Sequence, residues 1–161
     1  MNIEVIFKND DLLVINKPAG LLVHGIFNKE GAMHDEETLT DWLAKNYPET
    51  VEVGDPSTGS GQVLIVKQQR GGIVHRLDRE TSGVLVIARN QKTFLYLKGL
   101  FQKHEVQKTY LALVWGRVAE KFGAINKPIS IKDGSVKRTV FKGKMTREAV
   151  TSYKVIKFIK S

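Results

Sequence analysis

No cysteine occurs among the 161 residues, which excludes disulfides, thiolate nucleophiles and cysteine-ligated metals. Histidine is scarce as well. His24, His34, His75 and His104 stand at no metal-ligand spacing with one another or with carboxylates, so no metal centre is expected. No apolar run approaches the roughly eighteen residues of a membrane span, and the N-terminus lacks a basic segment leading into an apolar core. A chain outside the membrane and without a signal peptide, hence cytoplasmic, is the expectation. Acidic residues run short in only one half: residues 1–80 carry 8 basic and 13 acidic side chains, residues 81–161 carry 17 and 4. The whole net charge of +8 therefore comes from the second half, which suits a polyanionic partner or is a solvated basic face. Charge does not choose between RNA, DNA and anionic lipid, but no long amphipathic basic helix is evident, which disfavours a membrane surface.

What is present, with 42% hydrophobic residues, reads as one domain. Two short apolar strands, 3–7 and 12–16, flank an Asn-Asp-Asp turn, and Lys-Pro-Ala-Gly breaks the second. Residues 26–36 read as a loop. Thr38–Asn46 has helical spacing, with Thr38 as N-cap, Leu39, Trp42 and Leu43 on one face, and Pro48 as the stop. Residues 51–62, VEVGDPSTGSGQ, are a surface loop; the Lys-[Ser/Thr] that a phosphate-binding loop needs after its last glycine is missing. An apolar run at 84–88 predicts a strand beside Ile73–Leu77, and 91–104 an amphipathic helix burying Phe94, Leu95, Leu97, Leu100 and Phe101. KTYLALVWGRV predicts another strand, ISIKDGSVKRTVF a hairpin closed tightly at Asp133-Gly134, and EAVTSYKVI the start of a last strand. The basic residues of the hairpin region, Lys137, Arg138, Lys142 and Lys144, either face RNA or are merely solvated. No internal repeat is found. The order of elements predicts an α+β domain on a mixed, mainly antiparallel sheet with flanking helices.

Residues 75–83, HRLDRETSG, set an aspartate between two arginines beside a turn. On a strand Arg76 and Asp78 would share a face, and the guanidinium would hold the carboxylate ionised as a nucleophile or base. The plainer reading has Asp78 and Thr81-Ser82-Gly83 closing a turn, with Arg76 in an ordinary ion pair. Spacing alone leaves both open.

GIVHRLDRETSGVLVIARN resembles the signature of the RluA-type pseudouridine synthases, which runs HRLD, two variable residues, TSG and an apolar strand. NKPAGLLVH (16–24) resembles the family's Lys-Pro-x-Gly motif, QKTYLALVWG (107–116) its Lys-x-Tyr-x-Ala strand, and AVTSYKVI (149–156) its approach to the final motif. The similarity covers nearly the whole chain outside the loop at 51–62, without an S4 domain; Arg70-Gly71-Gly72 departs from the usual Arg-Pro-Gly. The resemblance implies isomerisation of uridine to pseudouridine in ribosomal or transfer RNA, with no cofactor and no metal. Asp78 would be the catalytic aspartate, Arg76 the arginine that displaces the target base, and Tyr110 the active-site tyrosine, which on strand pattern alone is as readily a core residue. Arg70, Arg79, Lys108, Lys137 and Arg138 are the candidates for holding RNA phosphates.

The family's last motif, of the kind Gly-Arg-x-His-Gln-Ile-Arg, is not reached by Ser161. A catalytic domain lacking that motif is the expectation, with exposed apolar surface, a tendency to self-associate and doubtful activity. Two other readings stay open. One is a non-catalytic RNA-binding chain on the same scaffold, the other a glycosidase-like enzyme pairing Asp78 with Glu80.

Overall fold

In the computed structural model, residues 1–25, 36–55, 71–134 and 138–159 are described. The expected loops at 26–36 and 51–62 fall mostly outside them, as do Arg70 and Lys137. The chain divides into two compact units, Met1–Thr109 and Tyr110–Ser161. All the strand pairings found are antiparallel, and two α-helices accompany them, which is the expected α+β class. No helix among the described residues is long and apolar enough to cross a membrane.

The first unit holds a three-stranded sheet in the order β1 (Glu4–Lys8), β2 (Leu12–Lys17), β3 (Gly83–Ala88). Asn9 closes the β1–β2 turn, its side chain accepting from the backbone N–H groups of Asp11 and Leu12. Period-two alternation puts Leu13 and Ile15 on one face of β2, opposite Ile87 and Leu85 of β3, and all four are fully buried. Helix α1 (Leu39–Asn46) contributes Leu39, Trp42 and Leu43 to the same cluster. Thr38 caps it as anticipated and forms a capping box with Asp41. Pro48 does stop the helix, though by opening a short 3-10 turn over Pro48–Thr50.

Three expectations need correction. Residues 73–77 form no strand: Ile73 makes one isolated bridge to Ile87, and the ladder partner of β3 is β2. Gly71 and Gly72, both with positive φ (57° and 75°), bring the chain so close to β3 that a Cβ on Gly72 would stand 1.9 Å from the Ala88 carbonyl oxygen, and beyond the bridge the Val86 N–H is taken by the His75 ring instead of a backbone carbonyl. Helix α2 (Gln91–Gln102) buries only Phe94, with Leu97, Leu100 and Phe101 half-buried and Leu95 exposed. Successive helical residues are about 100° apart, so Leu95 turns away from the stripe that Phe94, Leu97 and Phe101 define. Tyr110–Trp115 is the third: it joins no ladder among the described residues and its apolar side chains are exposed, Trp115 completely.

The second unit contains a β4 (Phe122–Asn126) and β8 (Val150–Lys154) pair and a three-stranded sheet ordered β6 (Arg138–Thr139), β5 (Ile129–Ile131), β7 (Lys144–Arg147). The hairpin expected at 129–141 is present as β5 and β6, but six residues link its strands, so Asp133-Gly134 is not a two-residue turn. Gly134 does take a positive φ of 69°.

Candidate active site

Lys17 is the last residue of β2 and pairs with Gly83, the first of β3. Antiparallel geometry therefore sends the loop after Lys17 and the loop before Gly83 from the same end of the sheet, side by side. The second of these carries Arg76, Asp78, Arg79 and Glu80.

The Lys17 side chain joins the two loops. It is fully buried, and its ammonium donates to the carbonyls of Pro18 (2.9 Å), Leu21 (2.8 Å) and Arg79 (3.0 Å), so each of its three N–H groups has an acceptor. Burial lowers its pKa from the ordinary lysine value, while the charges of Glu80 and Asp78 pull the other way. A reciprocal contact reinforces the junction: Gly20 N–H donates to the Arg79 carbonyl at 2.8 Å, and Arg79 Nε donates to the Gly20 carbonyl at 3.1 Å. Gly20 has φ 85°, the left-handed region in which glycine is favoured. Sequence reasoning noted Lys-Pro-Ala-Gly only as a motif and missed Lys17 as a participant. The signal available was a lysine closing a strand in which Leu13 and Ile15 are the buried alternates, which places it on the inward face.

Asp78 sits on the turn itself. Its carbonyl accepts from Thr81 N–H at 3.1 Å, closing a four-residue turn, while its side chain is exposed. The expected Arg76–Asp78 ion pair is absent: neither side chain has an ion-pair partner among the described residues, and both face solvent. Without strand geometry at 73–77, the alternation that would have set the two on one face does not operate. Arg79 is engaged internally, its Nη2 lying 3.0 Å from Glu36 Oε2 and its Nε 3.7 Å from Glu80 Oε1. Glu80 is thus occupied with a guanidinium, which leaves the glycosidase-like pairing with Asp78 unsupported.

His75 anchors the loop's other end. Its Nε2 accepts from Val86 N–H at 3.1 Å, so the neutral ring carries its proton on Nδ1. Two residues on, Ala88 N–H finds the Gly72 carbonyl at 2.9 Å. A side chain thus continues, in place of backbone, the contacts along the edge of β3 that faces away from β2. The ring also stacks on Phe101 of α2 (centroids 4.6 Å apart, planes 15°), and burial first, then the Lys108 charge, lower its pKa from 6.5. Lys108 Nζ stands 6.0 Å from the Phe101 ring centroid. A shallow pocket nearby is lined by His24, Ile73, Val74, His75 and Arg76.

Of the residues singled out in the sequence, Arg76, Asp78, Arg79 and Lys108 belong to the first unit, Tyr110 and Arg138 to the second. Tyr110 is exposed and outside any strand, so it is not a core tyrosine.

The family model described as RNA pseudouridylate synthase matches residues 11–161. Among curated relatives, an uncharacterized RNA pseudouridine synthase of Aquifex aeolicus is 34% identical over 155 residues, covering 96% of this chain and 43% of that protein. The tRNA pseudouridine synthase C of Haemophilus ducreyi is 32% identical, covering 95% of this chain and 53% of that one. The chain spans about half the length of the curated relatives it matches. Among solved structures, human RNA pseudouridylate synthase domain containing 1 superposes with a TM-score of 0.62 over 94% of this chain and 51% of its own, at 21% identity, a likeness of fold. On the match that runs from the turn after β1 to the last residue, the chain belongs to the RNA pseudouridylate synthase family.

Proposed function

We propose that the chain takes part in isomerising uridine to pseudouridine in structured ribosomal or transfer RNA, as part of a catalytic domain in the cytoplasm, with Asp78 as its catalytic residue. One observation carries the reading: an exposed carboxylate stands on a turn whose backbone is pinned by a buried, fully hydrogen-bonded ammonium. A reacting group held on a fixed backbone loses little orientational freedom when substrate arrives.

In this chemistry Asp78 acts on the ribose, adding at C1′ or removing the C2′ proton. The C1′–N1 bond breaks and the uracil turns; C5 then bonds to C1′ as the Asp78–C1′ bond breaks or, on the other route, as C2′ takes back its proton, after which the C5 proton leaves and N1 gains one. The target nucleotide must leave its stack first, which is easiest in loops. Arg76, which has no carboxylate partner among the described residues, is available to fill the space the base vacates. Tyr110 is assigned to stack on the uracil and assist loss of the C5 proton. Lys108, Arg138 and, outside the described residues, Arg70 and Lys137 are assigned to phosphates; Arg79 is assigned first to holding the turn, because Glu36, Glu80 and Gly20 already occupy its guanidinium.

A second reading, an RNA-binding chain without turnover, draws on the missing Arg76–Asp78 pair. Tritium release from bulk ribosomal and transfer RNA labelled at uridine C5 separates the two. Release by the chain that Asp78→Asn abolishes, with RNA binding kept, supports the enzyme; binding without release supports the second reading. Equal release by the variant removes Asp78 from the chemistry.

A further inference from the structure

Residues 110–161 carry 12 basic and 3 acidic side chains, and the small sheet of the second unit gathers three of the basic ones. Antiparallel partners project from the same face. Ile131 is the partner of both Arg138 on β6 and Lys144 on β7, and Ile129 is the partner of Arg147. Ile129 and Ile131, two residues apart on β5, share a face, so Arg138, Lys144 and Arg147 surround them. Ser130, buried, belongs to the other face, where its Oγ lies 2.8 Å from Thr146 Oγ1.

Lys144 and Arg147 are three apart in sequence, and plain alternation would send them to opposite faces. The ladder shifts between Ile129 and Ile131, and the residue after Lys144, Met145, has φ 51°, a left-handed conformation unfavourable for a side chain with a Cβ. Beside it, a Cβ on Gly143 would stand 2.2 Å from the Ile131 carbonyl oxygen, so glycine is required for β7 to close on β5. A strained bulge thus brings two cations to one face. All three are exposed; Arg138 and Arg147 have no ion-pair partner among the described residues, and Lys144 has only Asp133 at 3.9 Å, with both side chains in solvent.

We infer that this face of the β6–β5–β7 sheet docks the phosphate backbone of the substrate RNA, an assignment that rests on the RNA reading above. The two isoleucines between the cations suit the ribose between successive phosphates, and phosphate contacts of this kind set register without reading sequence.

The test compares two triple variants of equal charge change, Arg138→Ala/Lys144→Ala/Arg147→Ala on the sheet and Lys121→Ala/Lys127→Ala/Lys154→Ala off it. A uridine-rich single-stranded 20-nucleotide RNA is titrated against each and against the parent chain between about 0.1 and 1 M salt. With about 0.7 log unit of slope for each phosphate contact on a single strand, the sheet variant should lose about 2 in slope and bind about a hundredfold more weakly at 0.1 M salt. The off-sheet variant should stay near the parent. Protection of Lys144 from acetylation by bound RNA is the companion measurement, made on the unaltered chain and independent of how the variants fold. Equal losses in both variants, or no protection of Lys144 on RNA that does bind, overturn the face while leaving the RNA reading intact. A parent chain that binds neither this RNA nor bulk transfer RNA overturns the RNA reading and the inference with it. Loss of binding to phosphatidylserine vesicles without loss of RNA binding reassigns the face to a lipid surface.

Discussion

Every N–H of the Lys17 ammonium ends on a backbone carbonyl, and one of those belongs to the residue after Asp78. Lys17→Met keeps much of the volume and removes all three donors, leaving the buried Leu21 carbonyl without its Lys17 donor, while the Arg79 carbonyl keeps only Gly20 N–H. Such a loss costs about 1 to 3 kcal/mol, and urea unfolding should show a destabilisation of that order. Turnover should fall as well, since the Asp78 turn loses its tether. His75 gives a pH effect at the same scale. The folded chain holds its ring below the ordinary 6.5, so the unfolded chain takes up the proton first as the pH falls. The stability it supplies is full above about 6.5 and is lost as the pH drops below that value. His75→Gln keeps an acceptor for Val86 N–H but does not titrate. Melting temperatures of the parent and the variant should therefore converge between pH 7.5 and 5.5.

At the scale of elements, Thr38 closes a complete capping box on α1, and Thr38→Ala should cost about 1 kcal/mol, read as a lower denaturant midpoint with unchanged slope. Gly72→Ala is the harsher change: it demands a positive φ and sets a methyl against the Ala88 carbonyl, so the bridge to β3 must open. Loss of protection at Ala88 N–H in hydrogen exchange reports it. These two residues also mark how far the sequence could be read. Thr38 and the buried trio on α1 were legible because capping and 3.6-residue periodicity are local; β1, β2 and β3 were legible for the same kind of reason. The partner of β3 was not, since Ile73–Leu77 is close in sequence and apolar, and its pairing stops after Ile73, where the His75 side chain takes Val86 N–H. Segment 108–118 has an apolar strand pattern, but a pattern names the face a strand would bury and supplies no partner for the ladder. At the proposed site, the HRLD run singled out Asp78 as a candidate, whereas the contacts around it are tertiary: Lys17 reaches Arg79 across 62 positions, and Arg79 turns to Glu36.

For the whole molecule, the charge division between the halves survives as a division between units. The first unit builds the turn that presents Asp78, and the second carries most of the basic excess. RNA affinity should therefore fall steeply with salt, on the order of 0.7 log unit per log unit of salt for each single-strand phosphate contact. Asp78→Asn should leave that slope unchanged, because the substitution removes no cation.

The chain has two tryptophans, Trp42, buried in the core of the first unit, and Trp115, fully exposed in the second. Each unit consequently carries its own optical probe. Trp42 should emit toward the blue and resist acrylamide, and Trp115 should emit as in water and be quenched freely. Trp115→Phe removes the second signal at little cost to either core. Unfolding of the first unit can then be followed by itself, and RNA that stacks on or shields the 110–115 segment will announce its arrival in the colour of a single side chain.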